Sequence, residues 1–228
     1  MNLTVFANST LYTPMPDENT TLAEGSTLDY LREEYSRING LWLNGLTVIT
    51  VKNILSEYLR ERHFSHWVIL NLGTVECYSH PSKSFLYWCT HYLNFYGCDA
   101  LFSTFILPKM SMAARDIIED NKEYFQTLSE NEFAYIFNMV LKLLEGFSVI
   151  VVGVNKPNTE NKRLDPHWLS QAEKYNAVIA NLVSAYNINY IDSWNKYANY
   201  VVDTTHLTPE GHLKMFQEIQ SIIRKGKN

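Results

Sequence analysis

At 228 residues, 46% hydrophobic and 19% charged, the chain is long enough for one α/β domain with a full core, spanning residues 1–228, and has the make-up of a soluble globular protein. Its formal net charge of −5, with Lys and Arg scattered apart from Arg224-Lys225-Lys227, provides no basic field for nucleic acid. No window approaches the roughly twenty apolar residues of a membrane helix, and Cys77, Cys89 and Cys98, without C-x-x-C spacing, suggest reduced thiols of a cytosolic protein rather than a disulfide framework or a zinc site.

The start, Met1-Asn2-Leu3-Thr4-Val5-Phe6, lacks the basic and long apolar regions of a signal peptide. The Asn-X-Thr triplets at Asn2, Asn8 and Asn19 therefore need not be glycosylated. Residues 3–7 read as a buried first strand, followed by a loop of turn residues from Asn8 to Gly25. A helix is expected over 27–36, a short strand over 40–43, and a helix over 48–62 with Val51, Ile54, Leu55, Tyr58 and Leu59 on one face. Residues 66–72 form the clearest strand, a continuous apolar run that stops at Gly73.

Beyond the loop at 73–82, an aromatic helix is expected over 85–96 and a further helical stretch over 112–118. A strong helix over 130–144 closes at Gly146, a strand follows over 148–153, and a long helix from Asp165 ends near Asn187. Residues 188–192 are the last short strand. The final helix is well marked: Thr208 can cap it, Pro209 suits its first position, and Met215, Ile219 and Ile222 recur at helical spacing. Strands separated by helices imply a parallel sheet covered on both faces, and in such sheets sites form at the carboxyl ends of strands. That rule selects the loops at Asn8-Ser9, Asn44-Gly45, 73–77, 153–155 and 203–206.

Asp203-x-x-His206 lies directly before that last helix. A carboxylate three residues before an imidazole can sit behind it and aim it at a third group, although such a pair can also be a simple capping or hydrogen-bonding arrangement. Ser9 after the first strand, Gly45 after the second, Gly73 after the third, and Asp203-x-x-His206 together resemble the four blocks of the SGNH (GDSL-like) hydrolases, in order and over nearly the whole chain. That resemblance implies a flavodoxin-like three-layer α/β/α fold and acyl transfer through a covalent serine ester. Ser9 would be the nucleophile, His206 the general base and Asp203 its orienting carboxylate. An imidazole titrates near neutrality and so suits the task of taking the serine proton.

The match has gaps. The first block, usually Gly-Asp-Ser, is Ala7-Asn8-Ser9, and the third, usually Gly-x-Asn-Asp, is Gly73-Thr74-Val75-Glu76. Val75 therefore stands where the family has an amide that helps bind the oxyanion, a donor whose loss costs roughly a hundred- to thousand-fold in rate. Backbone N–H groups of Ser9 and Gly45 remain, and Asn8 or Asn44 is a candidate substitute amide. Asn8-Ser9-Thr10-Leu11 with Pro14, and Gly73 to Cys77 with Pro81, are similar to a divergent branch found among bacterial surface-polysaccharide biosynthesis proteins. This suggests an O-acylated, in particular acetylated, sugar or glycan as the partner, deacylated or acylated, with no cofactor and no resident metal.

Other residues allow other chemistry. Glu76 can fix its loop by accepting a hydrogen bond or can bind a sugar hydroxyl, and His80 can contact substrate from a surface loop. Phe85, Leu86, Tyr87, Trp88, Tyr92, Phe95 and Tyr96 can form core or line a pocket. Cys77 has no positive partner in sequence that would activate it. Asp203, His206 and His212 offer a metal-ligand alternative, and a chain that has kept the fold but lost its oxyanion hole would be a binding or scaffold protein. Neither the oligomeric state nor the choice between hydrolysis and transfer is written in the sequence.

Overall fold

The computed structural model describes residues 2–12, 25–42, 46–60, 65–77, 79–80, 125–126, 128–157, 168–202 and 205–226, with the backbone alone for residues 9, 12, 79, 80, 125 and 126. The helices expected over 85–96 and 112–118, and the start of the one expected from Asp165, lie outside the described residues.

Five strands build the central sheet: β1 (Asn2–Ala7), β2 (Arg37–Trp42), β3 (Trp67–Asn71), β6 (Ser148–Val152) and β7 (Asn189–Ile191). All pairings are parallel, in the order β2-β1-β3-β6-β7. The chain leaves β1 toward one edge and returns past it to β3. The strand order therefore reverses between β1 and β3, and crevices open at the carboxyl ends of strands at such a reversal.

Side chains alternate across the sheet, so each strand feeds two cores. Leu3, Val5 and Ala7 of β1 join Ile69, Ile150 and Ile191 in one core under α2 (Thr27–Glu34) and α7 (Pro209–Lys225). Phe6 joins Val68, Leu70, Val149 and Val151 in the other, under α3 (Val48–Tyr58), α4 (Glu130–Leu143) and α5 (Trp168–Ala185). The result is the three-layer α/β/α arrangement with a central parallel sheet. Phe133 of α4 meets Tyr175 of α5 edge to face, with centroids 4.7 Å apart. Truncating a buried aromatic of this kind to alanine costs about 3–5 kcal/mol.

Local chemistry explains most helix starts. Ser26 with Asp29, and Ser129 with Glu132, form reciprocal capping boxes; Thr47 and Thr208 cap α3 and α7 through their hydroxyls, and Pro209 opens α7 as expected. Gly146 and Asn187 turn with positive φ after α4 and α5, which is how a helix end is commonly closed.

Several expectations shift. β2 begins at Arg37 rather than residue 40, and α2 stops correspondingly at Glu34. Arg37-Ile38-Asn39-Gly40 has no apolar run because it is an edge strand, held by backbone pairing to the full length of β1. At Gly40 a side chain is impossible, since a Cβ there would lie 1.9 Å from the Val5 carbonyl oxygen. α3 ends at Tyr58 rather than residue 62. The presumed loop after Asn8 opens with a helical turn, α1 (Ser9–Tyr12), and a small antiparallel pair, β4 (Ser79–His80) with β5 (Phe125–Gln126), was not anticipated.

Candidate active site

The strand reversal places two segments side by side, the turn leaving β1 and the turn leaving β3. The Asn8 N–H donates to the Asn71 carbonyl at 3.3 Å, which extends the β1–β3 ladder by one step. Asn8 then caps α1: its Oδ1 accepts from the Thr10 N–H at 3.1 Å and from the Thr10 hydroxyl at 2.6 Å. Ser9 is the first residue of α1, at the carboxyl end of a central strand. Thr10 Oγ1 also lies 2.6 Å from Asn71 Oδ1. One hydroxyl proton cannot serve both oxygens, and the backbone N–H fixes Asn8 as acceptor, so the consistent arrangement has the Asn71 carboxamide turned over with Nδ2 donating to Thr10. Asn8 is 1% exposed, and its Nδ2 has no hydrogen-bond partner among the described residues.

Gly73 follows β3 with φ +102°, and a Cβ there would sit 3.1 Å from Ile179 and 3.3 Å from Phe133 and Val154. This tight left-handed turn leads into a single 3-10 turn, Val75–Cys77. Val75 is partly exposed, whereas Glu76 and Cys77 are fully buried. Glu76 Oε1 accepts from the N–H of Val48, the first residue of α3, at 2.6 Å. Its carboxylate thus ties the turn after β3 to the positive end of α3. Burial raises the Glu76 carboxyl to about 7, against the pull of the nearby Val48, Glu76 and Gly73 N–H groups, and Oε2 lacks a partner in bonding geometry among the described residues. The Cys77 thiol donates to the Gly73 carbonyl at 3.0 Å, and burial pushes its pKa well up, so Cys77 is a structural thiol.

The other half of the site is the loop before α7. Val201 and Leu207 form an antiparallel bridge, the Val202 N–H donates to the His206 carbonyl at 3.0 Å, and the Thr208 N–H donates to the Tyr200 carbonyl at 2.7 Å. These contacts bring residues 200–202 and 206–208 side by side. Leu207, wholly buried, anchors the far side of the loop in the core shared with β1. Asn155, three residues past β6, donates Nδ2–H to the Thr205 carbonyl at 2.6 Å, so the loop is also held to the carboxyl edge of the sheet. His206 is partly exposed on that loop. The Ser9 turn and the His206 loop therefore both lie at the carboxyl edge, and their flanking residues Leu11 and Leu207 share the core beneath α2 and α7.

His212 is fully buried in the first turn of α7. Its Nδ1 accepts from the Thr27 N–H at 3.2 Å, while the Thr27 hydroxyl donates to the His212 carbonyl at 3.1 Å. An acceptor at Nδ1 requires the proton on Nε2, and the residue works as a pin between α2 and α7. Among the described residues no three His, Cys, Asp or Glu side chains could hold a metal ion together. Asn44, Gly45 and Asp203 lie outside the described residues, and His80 is described by backbone alone, in β4. Sequence reasoning passed over Asn71 and Thr10 and assigned Asn155 no role. Asn8 carried a readable signal, an asparagine directly before a helical turn, but contacts across 50 and 61 residues had none.

No protein-family model matches the sequence, and no curated protein matches it either. Solved structures do match. A lipase/acylhydrolase from Enterococcus faecalis is 12% identical with a TM-score of 0.58, over 96% of this chain and 92% of that one. A member of the lipolytic protein G-D-S-L family from Veillonella parvula is 10% identical with a TM-score of 0.58, over 96% of both chains. A carbohydrate acetylesterase from Sinorhizobium meliloti is 11% identical with a TM-score of 0.55, over 98% of both chains. With its parallel sheet, its two flanking layers and the loops gathered at one edge, the chain has the fold of the SGNH (GDSL-like) hydrolases.

Proposed function

We propose that the protein is a serine-dependent acyl-ester hydrolase whose substrate is an acetylated sugar or glycan. The observation that carries this is the strand reversal between β1 and β3: the backbone of Ser9 follows β1 directly beside it, on the same edge as the tethered His206 loop, and in such sheets ligands bind at that position. The carbohydrate acetylesterase among the structures of the same fold supports the choice of substrate.

In this mechanism His206 removes the Ser9 hydroxyl proton, and Oγ attacks the ester carbonyl carbon. The tetrahedral intermediate collapses as the imidazolium returns that proton to the departing sugar oxygen. Water, deprotonated by His206, then attacks the acyl-serine, and the second tetrahedral intermediate collapses as the imidazolium returns the proton to Ser9 Oγ, restoring the serine and releasing the carboxylic acid, which ionises in water. Asp203 orients the imidazole. Backbone N–H groups of Ser9, Gly45 and Gly73 are the oxyanion donors proposed in the absence of the family amide at Val75, with Asn8 or Asn44 supplying a side-chain amide. Asn8 has a donor without a partner among the described residues, since Oδ1 is committed to Thr10 and Nδ2 is not. Glu76, with Oε1 on Val48, acts by holding the turn at Gly73 rather than by touching the sugar. If a sugar hydroxyl replaces water in the second step, the same intermediate makes the protein an O-acyltransferase, as surface-polysaccharide biosynthesis would use it.

The test is acetate release from a short nitrophenyl ester and from acetylated oligosaccharides by wild type and Ser9→Ala. Ester cleavage lost with Ser9→Ala supports the hydrolase. Absence of cleavage in the wild type, with sugar binding intact in both, supports the scaffold role that Val75 favours.

A further inference from the structure

Asn155 is buried to 3% exposure at the carboxyl end of β6, and its carboxamide joins three segments distant in sequence. Nδ2 donates to the Thr205 carbonyl at 2.6 Å. Oδ1 accepts from the hydroxyl of Ser193, the first residue of α6 (Ser193–Lys196), which follows β7. The chain ends of β6 and β7 are held together by the Gly153 N–H donating to the Ile191 carbonyl at 3.0 Å, so Asn155 and Ser193 stand on a rigid base. A carbonyl oxygen only accepts, so the atom facing Thr205 must be the amide nitrogen, and the Ser193 hydroxyl, able to donate, meets the amide oxygen. Thr205 itself is 1% exposed and immediately precedes His206.

The loop's remaining backbone bonds, Val202 to His206 and Thr208 to Tyr200, close it upon itself and onto the 3-10 turn at Ala198–Tyr200. They set its shape, and the buried Leu207 side chain anchors its far side in the core. Among the described residues, the Asn155 amide reaches from the carboxyl edge of the sheet to Thr205, beside His206.

We propose that Asn155 is a positioning residue: by bonding the Thr205 carbonyl it fixes the height of the His206 imidazole above the carboxyl edge of the sheet, with Ser193 orienting the amide. This rests on the hydrolase reading above and adds to it a residue outside the proposed triad. The role acts on alignment of base and nucleophile, so its loss lowers kcat at nearly constant KM, and misplacement of about 1 Å costs on the order of a hundred-fold.

The closest isostere, Asn155→Asp, sets a carboxylate oxygen against the Thr205 carbonyl, and Asn155→Ala, which carries no buried charge, serves if the first variant folds poorly. Both are expected to lower kcat for nitrophenyl acetate about 10–100-fold with KM within about two-fold, and Ser193→Ala less. The ratio of Asn155→Asp to wild-type kcat is expected to rise toward low pH, where a protonated carboxyl can donate to Thr205 again; a defect of packing alone gives no such recovery. Amide hydrogen exchange supplies a readout independent of activity: Val202 and Thr208 should exchange faster in both variants, with β1 and β3 unchanged. Unchanged kcat and unchanged loop exchange overturn the proposal, as does exchange accelerated throughout the sheet. If the wild type shows no Ser9-dependent cleavage, the hydrolase reading fails, and the exchange data alone decide whether Asn155 holds the loop.

Discussion

The two halves of the candidate site are built differently. The turn after β1 is shaped by bonds between near neighbours, Asn8 accepting from Thr10 two residues on and Leu11 N–H donating to the Asn8 carbonyl, and it is joined to β3 through Asn71. The His206 loop is held at a distance, by Asn155 reaching Thr205 across 50 residues, and the turn after β3 is fastened to α3 by Glu76 reaching Val48 across 28. A locally held turn keeps its shape wherever its strand goes. A loop fixed by such a reach is in position only when the sheet is, so the His206 side of the candidate site takes its placement from the tertiary fold, whereas the Ser9 turn takes its shape from its own residues.

Four variants break or sharpen this contrast. The largest effect is expected for Ser9→Ala, which should lower kcat at least about a thousand-fold with little change in stability, read from ester turnover and thermal unfolding.

Next comes the Glu76 tether. Its folded-state carboxyl, at about 7, binds a proton more tightly than the unfolded chain does near 4.5. The stabilisation this gives is complete below the unfolded value and is lost as pH rises through the folded one. Urea unfolding should therefore show the wild type losing up to about 3 kcal/mol between pH 5 and pH 8, and Glu76→Gln, which mimics the protonated form, should flatten that slope. A slope that is the same in both proteins would remove Glu76 as its source.

The Asn155→Asp loss of about 10–100-fold in kcat follows, and it separates the halves directly, because the Ser9 turn should keep its exchange protection. The smaller of the two stability losses is expected for Asn8→Ala, which removes a cap worth about 1 kcal/mol, while loss of its proposed oxyanion amide lowers kcat about a hundred-fold. Thermal unfolding should report the loss of stability, and a much larger one would show that the contacts of the Ser9 turn to Asn71 depend on the Asn8 cap.

Much of this was legible in one dimension. The start of α7 was marked by Thr208 and Pro209, whose capping chemistry acts within four residues. β3 and β6 announced themselves as apolar runs because both their faces are covered. β2 was read short because its first residues, Arg37 to Gly40, lie at an edge and owe their conformation to pairing with β1 rather than to their own side chains. Asn71 looked like the tail of a strand, and only its approach to Thr10 marks it as part of the site floor.

By itself, then, the order of residues determined the alternation of strands and helices, the capped helix starts, and the short blocks that carry serine, histidine and aspartate, because each depends on periodicity or on contacts a few residues long. The tertiary structure alone decided the strand order, the burial that lifts the Glu76 carboxyl, and the Asn155 tether. Those depend on groups tens of residues apart meeting where water is excluded, and no local pattern encodes such a meeting.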